Sequence, residues 1–336
     1  MKILLSSHFF HPSVGGIEQV SFTLAREFVK AGHELKVVTT TRDESETELP
    51  FEVIRRPAPW ELARLVRWCD VFFHNNISLQ TAWPLFYIRK PWVVSHHTWL
   101  TRISGRKGIR DRLKQYIIRH ATNIAVSKSV ADHLSLPSTI IGNPYRDDLF
   151  KRNDSIPRVH ELVFLGRMVW DKGADLLIDA IHLLRQRGVT PRLMMVGDGP
   201  ELIPLCKQVE RLDLNEQVKF AGTRTGKKLV ELLNNYKIIV VPSRWQEPFG
   251  LVALEGIACG CVALAAESGG LPDVIGEAGV TFACNDPEDM AKKIEALLGD
   301  QAALDRCRAA AADHLKNHTA TVVARKYLDV LEGALK

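Results

Sequence analysis

The chain is predicted to be an α/β protein built from two parallel-sheet domains. Three observations predict this. Short apolar runs alternate with amphipathic helical stretches along most of the 336 residues. Those runs are too continuously apolar for half-exposed strands, so the sheets they form carry helices on both faces. A polar, proline-containing stretch at 145–158 interrupts the alternation, which then restarts. The length suits two domains of roughly 150 residues each.

Residues 2–7 read as the first strand and 8–16 as a loop. A helix follows over 17–31, with Ile17, Val20, Leu24, Phe28 and Ala31 at helical spacing and Gly32 as its stop. Strands continue at 34–41, 70–74, 92–95, 123–126 and 139–141. In the second half, strands at 161–165, 193–196, 218–221, 237–241, 262–265 and 280–282 alternate with helices at 174–187, 201–212, 227–235 and 251–259. Helices close the chain from Pro287 onward. The expected domains are 1–152 and 153–319, with a last helix over 320–336 packing back onto the first. Open α/β sheets bind ligands at the carboxyl ends of their strands, so two such domains offer a cleft between them.

Composition narrows the function classes. With 46% hydrophobic and 25% charged residues the balance is globular, and no apolar run approaches the ~18 residues of a membrane span. The N-terminus turns polar too early for a secretory signal. Six scattered cysteines, without a C-x-x-C pair, suggest reduced core thiols and a cytoplasmic setting. Cys259 and Cys261 flank Gly260 with no second Cys or His pair nearby, which favours packing over metal binding. The charge is uneven: residues 1–150 hold 20 Lys and Arg against 14 Asp and Glu, so 24 and 25 remain for the rest. A phosphorylated or membrane-surface partner is expected to meet the basic first half.

Four segments carry chemistry. Glu247 to Glu255 is a strand-to-helix junction, with Pro248 and Gly250 shaping the loop and two acids eight residues apart. The amides of Leu251 and Val252 would open the helix as an anion site, and Glu255 could accept a pair of hydroxyls. The plainer reading is a pair of solvated helix-end acids. Arg167 and Lys172 stand on one loop after the strand at 161–165. Two fixed cations there suit a diphosphate, or are simply surface charges. Gly15 and Gly16 permit close backbone approach before a helix, or form an ordinary turn. His96 and His97 end a strand, where one imidazole could meet a sugar hydroxyl; a hydrogen-bonded surface role is the alternative.

Together these segments resemble the retaining glycosyltransferases of family four, which have the GT-B fold of two Rossmann-like domains facing across a cleft. The likeness rests on Gly15-Gly16-Ile17-Glu18, His97-Thr98, Gly142-Asn143-Pro144, Gly166-Arg167 with Lys172-Gly173, Val196-Gly197-Asp198-Gly199-Pro200, and Glu247-Pro248-Phe249-Gly250-Leu251 with Glu255. The resemblance implies a nucleotide-diphosphate sugar donor, UDP- or GDP-linked, and a glycan, lipid-linked or small-molecule acceptor in polysaccharide or glycolipid assembly. It implies that Arg167 and Lys172 grip the diphosphate with the amides of Gly16, Leu251 and Val252. Glu255 would hold the ribose. Glu247, with Phe249 and Gly250, would hold the sugar, and His97 would sit beside it. The family's Pro-Asn-Gly-Val stretch reads Gly142-Asn143-Pro144-Tyr145 here, a departure that touches the hinge. The implied reaction is a front-side displacement in which the departing phosphate takes the acceptor proton. No cofactor is expected, and no D-x-D pair is present to hold a metal. The rivals are an epimerase or phosphorylase on the same plan and a catalytically inactive sugar-nucleotide-binding subunit.

Arg102, Arg106, Lys107, Arg110, Arg112, Lys114 and Arg119 crowd one region, where Ile109, Leu113, Tyr116 and Ile117 recur at helical spacing. Residues 102–119 read either as a surface docking on the anionic inner face of a membrane or as a packed helix with a solvated face, the second slightly favoured. Nucleic acid is not an expected partner, because no binding motif accompanies the charge.

Overall fold

The apolar runs of the first half become a seven-stranded, all-parallel sheet. The computed structural model describes residues 1–13, 15–42, 48–100 and 108–336, and of Arg110 the backbone alone. The first sheet comprises β1 (Lys2–Ser6), β2 (Glu34–Thr39), β3 (Glu52–Arg55), β4 (Val71–Asn75), β5 (Trp92–His96), β6 (Thr122–Ala125) and β7 (Ser138–Ile140). Its order is β3-β2-β1-β4-β5-β6-β7. Leu5 of β1 stands in register with Val37 of β2 and Phe73 of β4. Strand β3 was not foreseen: its four residues at the sheet edge are half-exposed, so it lacks an apolar run. The helices are α1 (Gly16–Lys30), α2 (Pro59–Trp68), α3 (Leu79–Ala82), α4 (Ile109–Ile117) and α5 (Lys128–Leu134).

The second sheet comprises β8 (His160–Leu165), β9 (Leu193–Val196), β10 (Val218–Gly222), β11 (Tyr236–Val241), β12 (Val262–Ala266) and β13 (Gly279–Phe282), ordered β10-β9-β8-β11-β12-β13. Around it run α6 (Ala174–Gln186), α7 (Leu202–Arg211), α8 (Gly226–Asn234), α9 (Leu251–Ala258), α10 (Leu271–Ile275), α11 (Pro287–Gly299) and α12 (Gln301–Lys316). The last helix is α13 (Ala320–Gly333). Contacts divide the chain into one unit of 1–144 with 318–336 and a second of 145–317. The break therefore falls between Pro144 and Tyr145, ahead of the position expected from the polar stretch.

Both strand orders reverse once, at β1/β4 in the first unit and at β8/β11 in the second. At such a point neighbouring connections leave for opposite faces of the sheet and open a crevice above the strand ends. The core of the first unit is completed from the far end of the chain. Val323, Tyr327 and Leu331 of α13 lie among Ile3, Leu5, Leu24, Phe28 and Phe73. The Tyr327 ring meets Phe73 edge-on, with centroids 5.7 Å apart.

Because Tyr327 is fully buried in that cluster, Tyr327→Ala should destabilise the first unit by about 3–5 kcal/mol. Tyr327→Phe, which keeps the ring, should cost about 1 kcal/mol. Urea unfolding followed by hydrogen exchange of first-unit amides measures both, and equal losses for the two variants would contradict the packing role.

Candidate functional site

In the second unit the connections leaving β8 and β11 meet at the strand-order reversal. After β8 the chain runs through Gly166 and Arg167 into a single 3-10 turn, Trp170–Lys172, and then α6. After β11 it runs through Pro242 and Ser243 to Glu247 and into α9. Lys172 Nζ lies 2.5 Å from Glu247 Oε2, with the two side chains 25% and 17% exposed. Ser243 Oγ donates to the same carboxylate oxygen at 3.2 Å. The two loops are joined again where the Arg244 amide donates to Asp171 O at 2.9 Å. The Arg244 guanidinium pairs with Asp175 and lies 5.6 Å from the Trp170 ring centroid.

Two glycines make this approach possible. Gly173 has φ +65°, and a Cβ there would overlap the Pro242 carbonyl; any side chain would push the lysine loop off the β11 loop. Gly269 has φ +60°, and its absent Cβ leaves room for the Glu247 backbone. The next amide, Gly270, donates to Glu247 O at 2.8 Å. Glu247 is thus held at its backbone by one loop and at its carboxylate by another.

Beyond Glu247, Phe249 is buried and Gly250 caps α9 without offering a side chain to the first-turn amides. Helix starts leave such amides free for an anion, and Leu251 and Val252 occupy that turn. Glu255, one turn inside, is 7% exposed, so the reading of a solvated helix-end acid does not hold for it. Arg167 is exposed. The two cations therefore differ: Lys172 is committed to Glu247, and Arg167 is displayed to solvent.

In the first unit Gly15 caps α1 and Gly16 begins it, with nothing within 4 Å of a Cβ built on Gly16. The histidines depart from expectation. His96 and His97 are 0% and 5% exposed, so neither is a surface residue. His96 Nε2 bonds Asn123 Oδ1 at 2.8 Å. His97 Nε2 lies 2.6 Å from Asn75 Oδ1 and 2.9 Å from Ser95 Oγ. His74, also buried, bonds Thr81 Oγ1 and accepts from Trp92 Nε1. Burial lowers the pKa of His74 to about 3. It lowers His96 to about 4 against the opposing bond to Asn123. His97 falls to about 3, through burial first and the neighbouring His96 second. All three are neutral at physiological pH.

Asn75 and Tyr327 around His97, and Gly269 and Gly270 around Glu247, were not singled out by the sequence. The polar run His74-Asn75-Asn76 closing an apolar strand, and the paired glycines at 269 and 270, were the available signals. In the basic stretch, 101–107 and the Arg110 side chain lie outside the described residues. Within α4 the expected packed face is corrected: Ile109, Leu113 and Tyr116 are 87%, 43% and 61% exposed, and Ile117 alone of the four is buried. Among the described residues, no helix is long and apolar enough to cross a membrane.

The family model described as "Glycosyl transferases group 1" matches residues 146–314, and "Glycosyltransferase Family 4" matches 14–138. A glycogen synthase of Mycobacterium tuberculosis is 32% identical over 180 residues, covering 52% of this chain and 43% of that protein. The chain thus spans less than half of that relative. A component of the phosphatidylinositol N-acetylglucosaminyltransferase of Arabidopsis thaliana is 23% identical over 342 residues, covering 88% and 74%. Among solved structures, Anabaena HepE in complex with UDP and glucose has a TM-score of 0.81 at 20% identity, over 99% of this chain and 100% of that one. A glycosyltransferase from Rickettsia africae has a TM-score of 0.82 at 18% identity, over 100% and 98%. The fold is therefore that of the GT-B glycosyltransferases.

The three buried histidines make the first unit acid-sensitive. The unfolded chain binds their protons near pH 6.5, whereas the fold refuses them until about pH 3–4. Their contribution is present above pH 6.5 and is lost as pH falls below it, at a rate approaching about 4 kcal/mol per pH unit. Urea unfolding at pH 5.0–7.5 should show that slope, and His96→Gln should lessen it by about one proton. A flat profile would refute the assignment.

Proposed function

We propose, since the chain belongs to the glycosyl transferases group 1 family, that it moves a sugar from a nucleotide-diphosphate donor to an acceptor hydroxyl with retention of configuration. The observation that carries this reading is the Lys172–Glu247 contact at the β8/β11 reversal, with Arg167 displayed on the same loop. A diphosphate is drawn to Arg167 and to the free amides opening α9. Lys172 turns from Glu247 toward the phosphates, and the released carboxylate stands beside the positive charge that grows at the sugar carbon. Phosphate and carboxylate thus exchange the lysine between them. Glu255 accepts the ribose hydroxyls. The departing phosphate accepts the acceptor proton, so no separate base and no metal is assigned.

A UDP-linked donor is supported by the UDP held in the Anabaena structure, and a UDP- or GDP-linked one by the family resemblance. The names of the relatives, a glycogen synthase and a phosphatidylinositol N-acetylglucosaminyltransferase component, support a glycan or lipid-linked acceptor. The exposed Ile109, Leu113 and Tyr116, beside Arg112, Lys114 and Arg119, favour docking on anionic lipid over a packed helix. The protein would then work at the cytoplasmic face of a membrane.

Thermal shift against UDP-glucose, UDP-N-acetylglucosamine and GDP-mannose should raise Tm for at least one donor. With that donor, Lys172→Ala and Glu247→Ala should each lower turnover by about 10²–10³-fold while leaving the unliganded Tm near native. Near-native turnover in either variant removes that residue from the mechanism. Binding without turnover would instead mark an inactive sugar-nucleotide-binding protein.

For the lipid surface, co-sedimentation with phosphatidylglycerol vesicles should exceed that with phosphatidylcholine. The excess should fall on Ile109→Ser with Tyr116→Ser. Equal recovery on both vesicles ends the docking assignment.

A further inference from the structure

The carboxyl ends of β8 and β11 hold the Lys172–Glu247 pair, and the amino ends of the same strands hold another cluster of charge. Arg158 comes two residues before β8, and Lys237 is the second residue of β11. With Arg152, and with Arg308 of α12, they line a cavity of about 480 Å³ that also takes in the carboxylates of Asp154 and Asp305. That volume falls within the ~300–1,000 Å³ range of small-molecule sites. All six residues belong to the second unit. The length of β11 at ~3.3 Å per residue separates the cavity from the Lys172–Glu247 pair by roughly 20 Å. The two places are distinct.

Part of the cluster serves the fold. Arg158 Nη1 donates to Asn234 O at 2.8 Å and to Tyr236 O at 3.3 Å, and its Nη2 donates to Cys259 O at 2.6 Å. Arg308 Nε donates to Gly260 O at 3.2 Å. These carbonyls close α8 and α9, where a helix leaves its last acceptors unpaired and its dipole favours a cation. Gly260, at φ +86°, makes the room, since a Cβ there would run into the Arg158 guanidinium. Capping does not account for the rest. Arg152 donates through Nε to the exposed Asp154 and, among the described residues, through neither Nη. Lys237 has no hydrogen bond or ion pair among the described residues. Burial lowers the Arg158 pKa, and Arg308 and Arg152 push it the same way, against Cys261 and Cys259. Four cations against two carboxylates leave the lining at +2. The two helix ends offset about one of those charges, so the excess stays positive.

We propose that this cavity binds a phosphate dianion, either inorganic phosphate or the phosphate end of a small phosphomonoester. The Nη groups of Arg152 and Nη2 of Arg308 are guanidinium donors of the kind that fit phosphate oxygens, and Lys237 adds a point charge. Arg158, committed to the helix ends, anchors the cluster and leaves the ligand to the other three. A neutral sugar would leave those cations unmatched, and a carboxylate monoanion has fewer oxygens to share among three donors. The site does not depend on the reading of the Lys172–Glu247 pair as a donor site.

The test is a ³¹P NMR titration of the full chain at about pH 8 and constant ionic strength, with inorganic phosphate and glycerol 3-phosphate as probes. Both are largely dianionic there. At least one should bind saturably, and the tighter of the two identifies the source of the phosphate. Lys237→Gln and Arg152→Gln should each weaken that binding by about tenfold or more. Neither side chain is buried, so the unliganded Tm should stay near native. Arg167→Gln, at the other end of β8, controls for phosphate held at the carboxyl ends of the strands and should leave the affinity within about twofold of native. Absence of saturable binding by either probe overturns the site. So does binding that Lys237→Gln and Arg152→Gln leave unchanged, and its loss in Arg167→Gln would then place the anion beside the Lys172–Glu247 pair.

Discussion

Everything in the second unit turns on the reversal of strand order between β8 and β11, because it brings one lysine and one glutamate to the same point from loops 75 residues apart in sequence. A pair this shielded gains from Coulomb attraction and loses from desolvation in similar measure, so its net worth to the fold is small. Its value lies elsewhere. Each partner holds the other in place with part of the surface still open. The absent side chains at Gly173 and Gly269 allow the loops to come that close, and the backbone bond from Gly270 keeps the glutamate from following the lysine.

The two units treat polar groups in opposite ways at equivalent places in their sheets. At β8/β11 the groups are ionic and partly exposed. At β1/β4 they are neutral, buried and tied into chains of hydroxyl, amide and imidazole. Buried neutral networks are rigid when satisfied, since each unmade bond costs more than a made one returns. The first unit thus holds a rigid neutral network at its reversal point, and the second an ion pair open to solvent.

Much of this was legible in the residues. Continuous apolar runs gave away parallel strands, and the stop glycines gave away helix ends. The acids at 247 and 255 and the cations at 167 and 172 fell at strand-to-helix junctions, where an α/β sheet binds its ligands. What stayed hidden depended on the third dimension. A four-residue edge strand has no apolar period to read. The glycine pair at 269 and 270 acquires meaning only against the Glu247 backbone. His96 and His97 are buried among partners on neighbouring strands, Asn123 for the first and Asn75 for the second, which the end of a single strand does not announce. The exposure of Ile109 and Tyr116 was misjudged because helical spacing shows that apolar residues share a face, and not whether anything covers it.

The dependence of the first unit on α13 has a consequence for how the chain gains its geometry. Tyr327 enters the core that encloses β1 and β4, and its hydroxyl touches the serine that touches His97. Until those last residues are in place, the core lacks one of its largest side chains and Ser95 lacks one of its two partners. Loop closure over so long a separation is entropically slow to pay back. The β1/β4 core therefore cannot be complete until residues 318–336 have closed onto it across the second unit's 173 residues. Its ordering is a property of the whole chain, although every atom of the network belongs to the first unit.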